Sequence, residues 1–124
     1  MTLKIPTDKM TSYRVAARRR QEQKARQLSG RRQRAWDVAR RAGQLLQAKF
    51  GASRVVVFGS LLVPRRFHQH SDVDLAVWGL DEHLYYRAVA CLLDLDPAVS
   101  VDLIEAELAS PALLTVIERE GVAL

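Results

Sequence analysis

The sequence predicts a small α/β domain: a mixed sheet of three to four strands covered by helices, with a basic helical extension in front of it. Three observations carry this. Arg54–Phe58 is a short β-branched run, and Val73–Trp78 and the alternating Val99–Ile104 are of strand length. Helical stretches separate them, the alternation of a layered α/β fold. The 124 residues suffice for one core and not for two.

The elements follow in order. Residues 1–10 contain Pro6 and no periodicity, and are expected to be a flexible lead-in. Thr11 or Ser12 can cap a helix to about Leu28, which Ser29-Gly30 should interrupt. A second helix is expected over about Arg31–Phe50, with Trp36, Ala39, Gly43, Leu46 and Phe50 on one stripe facing the sheet. Gly51 stops it. After the first strand, Gly59-Ser60 turns into a loop with Pro64, two arginines and two histidines. The second strand leads to a helix from Asp81 or Glu82 to about Leu95, with Leu84, Ala88, Cys91 and Leu92 inward. Asp96-Pro97 breaks it before the third strand. Ser110-Pro111 starts a last helix that ends at Gly121, and Val122–Leu124 can add an edge strand. The expected division is residues 1–30 as extension and 31–124 as the domain.

Charge is unevenly placed. Residues 1–50 hold 14 Lys/Arg and 3 Asp/Glu, a net +11; residues 51–124 hold 5 and 11, a net −6. The pattern is that of a basic arm on an acidic body. Around the basic run from Arg18 to Arg34 only Tyr13 and Trp36 offer rings for base stacking, so nucleic acid is not the expected partner. No apolar run approaches the roughly 20 residues of a membrane span, the start lacks an apolar signal core, and the single cysteine excludes an internal disulfide. A cytoplasmic location without membrane contact is expected.

The chemistry-bearing residues are few. In Ser71-Asp72-Val73-Asp74, two aspartates two apart on a strand share one face. Facing carboxylates repel, and a hard divalent cation such as Mg²⁺ relieves that. An isolated Asp-x-Asp reads more readily as a polar turn with Asp72 capping backbone amides. Gly59-Ser60, between a buried-type strand and a helical turn, offers backbone N–H groups and a hydroxyl to phosphate oxygens. Asp102, polar between Val101 and Leu103, supplies a third acid, with a solvated strand face as the alternative. His68 and His70 lack a third ligand for zinc and are expected to line the loop or remain solvated.

The strings Val57-Phe58-Gly59-Ser60, Phe67-His68, Ser71-Asp72-Val73-Asp74-Leu75-Ala76-Val77, Val101-Asp102-Leu103 and Glu120-Gly121-Val122 resemble the minimal nucleotidyltransferases of the DNA polymerase β superfamily. More narrowly they resemble the MNT antitoxins paired with HEPN toxins. The resemblance implies Gly59 and Ser60 as nucleotide-binding residues, and Asp72, Asp74 and Asp102 as catalytic residues and ligands of two Mg²⁺ ions. It further implies transfer of AMP from ATP to a tyrosine hydroxyl of a HEPN ribonuclease toxin, in a hetero-oligomer with that toxin. Two departures stand out: eleven residues separate Ser60 from Asp72, one more than the common antitoxin spacing, and Leu61 stands where many relatives have arginine. Arg65, Arg66 or the basic arm would then meet the triphosphate. Two other functions compete. One is a non-catalytic antitoxin that neutralises by binding, which would be free to lose the acids. The other is a small-molecule nucleotidyltransferase, for whose substrate no second domain is evident.

Overall fold

The computed structural model describes residues 7–124, and four strands and three α-helices emerge in the order α1 (Thr7–Ala48), β1 (Arg54–Phe58), β2 (Val73–Trp78), α2 (Tyr85–Leu93), β3 (Val101–Glu105), α3 (Pro111–Glu120) and β4 (Val122–Ala123). The sheet order is β3-β2-β1-β4. β1 runs antiparallel to β2 and to β4, while β2 and β3 are parallel. The parallel pair requires a crossover, and α2 supplies it.

Alternation along the strands separates two faces. Val55, Val57, Val73, Leu75, Val77 and Leu103 pack under α1 and α2, against Ala35, Ala39, Ala42, Leu46, Ala88 and Leu92. Val56, Phe58 and Ala76 form a smaller core on the other face with Ile117 of α3. Small residues on α1 let its backbone lie close to the sheet. At Gly43 a β-carbon would stand 2.9 Å from Cβ of Leu124, so the glycine leaves room for the chain end after β4.

Several expectations are corrected. The two N-terminal helices are one: α1 is unbroken through Ser29-Gly30 and through the expected boundary at residue 30. A lone glycine costs a helix only about 1 kcal/mol, and the Arg, Ala and Gln around it are strong helix formers. The lead-in expected over residues 1–10 falls outside the described residues up to residue 6 and is helical from Thr7. The stretch expected as helix from Asp81 begins as a 3₁₀ turn, Glu82–Leu84, capped by the Asp81 side chain accepting from His83 N–H at 2.9 Å. β3 starts two residues late because Asp96 organises the preceding turn: its carboxylate accepts from Ala98 N–H and its carbonyl from Val99 N–H. Asp96 is also clasped by Arg34 of α1, with Nη2 to Oδ1 at 2.8 Å. α3 begins at Pro111 with the Ser110 hydroxyl accepting from Leu113 N–H, as the sequence predicts. Among the described residues, no helix is long and apolar enough to cross a membrane.

Candidate active site

β1 delivers the first element. Its last residue, Phe58, pairs with Asp74 across the antiparallel ladder, so the turn that follows sits beside the Asp74 side chain. Gly59 has φ +81°, a left-handed backbone, and opens the 3₁₀ turn Gly59–Leu62. A β-carbon at Gly59 would collide with Asp74 Oδ2. Glycine is therefore required twice, once by conformation and once by the carboxylate against it.

β2 and β3 deliver the acids. Asp74 pairs in register with Asp102 across the parallel ladder, and partners directly opposite present their side chains on one face. That face is the one carrying Ala76 and Phe58, the side of α3 rather than of α1. Asp72 lies one residue before β2, exposed, two positions from Asp74. Asp102 is exposed, and Asp74 is partly buried between its neighbours. Burial, then the charges of Asp102 and Asp72, push the Asp74 carboxyl up to about 6. The three carboxylates therefore share one field, and no basic group offsets it at Asp74.

Among the described residues, no three acidic, histidine or cysteine side chains stand close enough to close around an ion. Like charges have no reason to converge by themselves, and the placement of Asp74 and Asp102 on one face is what the fold contributes. The donor set suits a hard divalent cation: carboxylate oxygens only, one of them in a site where its own charge is disfavoured.

The rest of the site was only partly legible. Leu61, the departure noted above, is fully buried, and its carbonyl accepts from Arg32 Nε of α1 at 3.0 Å. No sequence signal announces a contact across 29 residues. Arg65 and Arg66 are exposed on the turn between Val63 and Phe67, whose N–H groups bond back to Val63 O. Phe67 anchors this loop in the main core. His68 and His70 are exposed; His68 N–H donates to Ser71 Oγ at 2.9 Å, and His68 lines a cleft with Lys24, Leu28 and Arg31 of α1. Tyr85, from α2, donates its hydroxyl to Leu103 O at 2.8 Å on the outer side of β3.

Among solved structures, that of a minimal nucleotidyltransferase is 30% identical to this chain over 81% of it and 95% of the other, with a TM-score of 0.54. A toxin–antitoxin structure with AMP-PNP is 25% identical over 64% of this chain and 66% of that one, with a TM-score of 0.54. The toxin–antitoxin MntA–HepT structure is 21% identical over 69% of this chain and 68% of the other, with a TM-score of 0.52, a likeness that shows the fold alone. The match thus spans just under two thirds, 66%, of the AMP-PNP-bound relative. No protein-family model matches the chain, and no curated protein matches it.

Proposed function

The chain belongs to the minimal nucleotidyltransferase family, and from that membership we propose that it is a magnesium-dependent antitoxin enzyme transferring AMP from ATP to a tyrosine hydroxyl of a HEPN ribonuclease toxin. The observation that carries the reading is the contact of the Gly59 turn with the Asp74 carboxylate, phosphate anchor against metal-binding acid. The likeness to a toxin–antitoxin structure with AMP-PNP supports both the nucleotide and the toxin partner. We place the reaction in the cytoplasm, where ATP and the toxin meet.

Each residue has a task. Gly59 lets a triphosphate approach the main chain, and the Ser60 hydroxyl with the adjacent N–H groups holds its terminal phosphates. Asp72, Asp74 and Asp102 would hold Mg²⁺, whose Lewis acidity stabilises charge on the transferring phosphate. Fixed at its tail, the nucleotide presents its α-phosphorus to the face that Asp102 shares. The tyrosine oxygen attacks that phosphorus, and its proton passes to the Asp102 carboxylate. The bond to the β-phosphate oxygen breaks, and pyrophosphate leaves with the electron pair.

The test is transfer of α-labelled ATP to the purified HEPN partner. Wild type should label the toxin, and either Asp72→Asn or Asp74→Asn should reduce labelling by on the order of 10³-fold or more, with an unchanged circular dichroism spectrum. Chelation of magnesium should do the same. A double Asp72→Asn, Asp74→Asn variant that neutralises the toxin as well as wild type would replace the enzyme by a stoichiometric binder.

A further inference from the structure

Two surface features lie outside the carboxylates and the Gly59 turn. The first is the N-terminal stretch of α1. From Thr7 to Gln27 none of its residues is buried, and it carries Lys9, Arg14, Arg18, Arg19, Arg20, Lys24 and Arg26 against Asp8 and Glu22. Met10, Tyr13 and Val15 are exposed apolar side chains on the same stretch. At 1.5 Å per residue it extends about 32 Å. Because Arg32 bonds Leu61 O and Arg31 lines a cleft with His68, α1 passes the end of the sheet that carries Gly59 and continues beyond it. A straight helix cannot return to its own body.

The second feature is the outer side of β3, an edge strand of the sheet. A groove there is lined by Glu82, Tyr85, Tyr86, Ile104, Glu105 and Leu108. Tyr86 is 84% exposed and Leu108 80%, an unusual degree for an aromatic and a leucine side by side. Glu107 stands at the neighbouring rim with Glu82 and Glu105, and no lysine or arginine lines either depression among the described residues.

We propose that the β3 groove receives the α1 arm of a second copy of this chain, so that the protein assembles as a two-fold dimer by reciprocal docking of arms. The two surfaces match in both respects that govern association. One is basic and the other acidic, and each sets exposed apolar side chains among its charges. A two-fold axis makes each copy donor and acceptor at once, which satisfies both arms and both grooves and closes the assembly. An unsupported helix of this length is marginal in water, and the docked arm gains the packing it lacks. RNA is the weaker occupant: Tyr13 is the arm's one aromatic for stacking, and RNA would leave the acidic groove uncovered. Ile104 in the groove lies two residues from Asp102 on the same face of β3, so the docked arm brings arginines beside the carboxylates.

Sedimentation equilibrium on the full chain tests this. At about 0.05 M salt, where the Debye length exceeds 10 Å, wild type should show a mass near twice the 14.0 kDa of one chain, shifting toward one chain as salt is raised. An arm variant, Arg18→Glu, Arg19→Glu, Arg20→Glu, and a groove variant, Glu82→Lys, Glu105→Lys, should each be monomeric, with dimerisation weakened at least tenfold. Mixed one to one, the two should form a heterodimer, because each reversed surface then meets an opposite charge; that recovery also proves both variants folded. A monomeric wild type, including one that gains mass only when single-stranded RNA is added, an arm variant that stays dimeric, or a mixture that stays monomeric would each overturn the proposal.

Discussion

At Gly59 the backbone holds φ +81° and a β-carbon would run into Asp74 Oδ2. Gly59→Ala should therefore cost stability by about 1–3 kcal/mol and displace the carboxylate, with AMP transfer reduced more than the shift in denaturant midpoint alone accounts for. Asp74 makes a second prediction. Its folded-state carboxyl is raised from 3.8 to about 6, so between those values the folded chain keeps a proton that the unfolded chain has released. Stability must then fall as pH rises through that window, and the loss is complete above it. In metal-free buffer Asp74→Asn should flatten the thermal-melting profile across this range while abolishing transfer. Mg²⁺, which needs the deprotonated form, should bind wild type more weakly as pH drops below about 6. The residue we assign to the metal is thus one whose charge the bare fold disfavours.

α1 shows how an element can override its local signals. Ser29-Gly30 reads as a break, yet the helix runs through it, and a β-carbon at Gly30 would meet nothing within 4 Å. Gly30→Ala should therefore stabilise the protein by about 0.5–1 kcal/mol, measured by denaturant unfolding; a destabilisation would mean that a bend there is real. Gly43 on the same helix should respond in the opposite sense, because Leu124 occupies the space an alanine would need. In α3 the fully buried residue is Ile117, packed over Val56, Phe58 and Ala76. Ile117→Ala should cost about 2–5 kcal/mol. It would also loosen the layer beside which the acids stand.

On the scale of the whole molecule, the body is held by contacts between distant segments. Arg34 of α1 grips Asp96, which in turn holds the turn before β3. The Arg34 hydrogen bonds, with the Ala98 N–H, keep the Asp96 carboxyl below its ordinary value of 3.8. Its contribution is present above that value and is lost as pH falls through the lowered one. Wild type should therefore lose melting temperature in acid more steeply than Asp96→Asn does. Asp74 and Asp96 thus act in opposite directions and in adjacent pH windows. A smaller pair, Arg54 with Glu118, ties β1 to α3 at 2.7 Å while the Arg54 guanidinium stacks over Trp78. That pair pins α3 to the end of the strands opposite the site.

The sequence by itself determined the strands β1 and β2 to the residue, the start of α3 and the fold class, because β-branched runs, a Ser-Pro cap and glycine stops act over a few neighbours. It also singled out Gly59, Ser60, Asp72, Asp74 and Asp102, through a glycine-serine turn after an apolar strand and acids set among apolar strand residues. What tertiary structure decided was proximity. Asp74 faces Asp102 because β2 and β3 pair in parallel with that register, and Gly59 meets Asp74 because β1 ends opposite it. Register depends on packing across the whole sheet, and a shift of one residue would turn either aspartate to the other face. The Arg34–Asp96 clasp before β3 and the Arg32–Leu61 contact belong to the same class. Each is settled by groups far apart in the chain, whose meeting leaves no local trace.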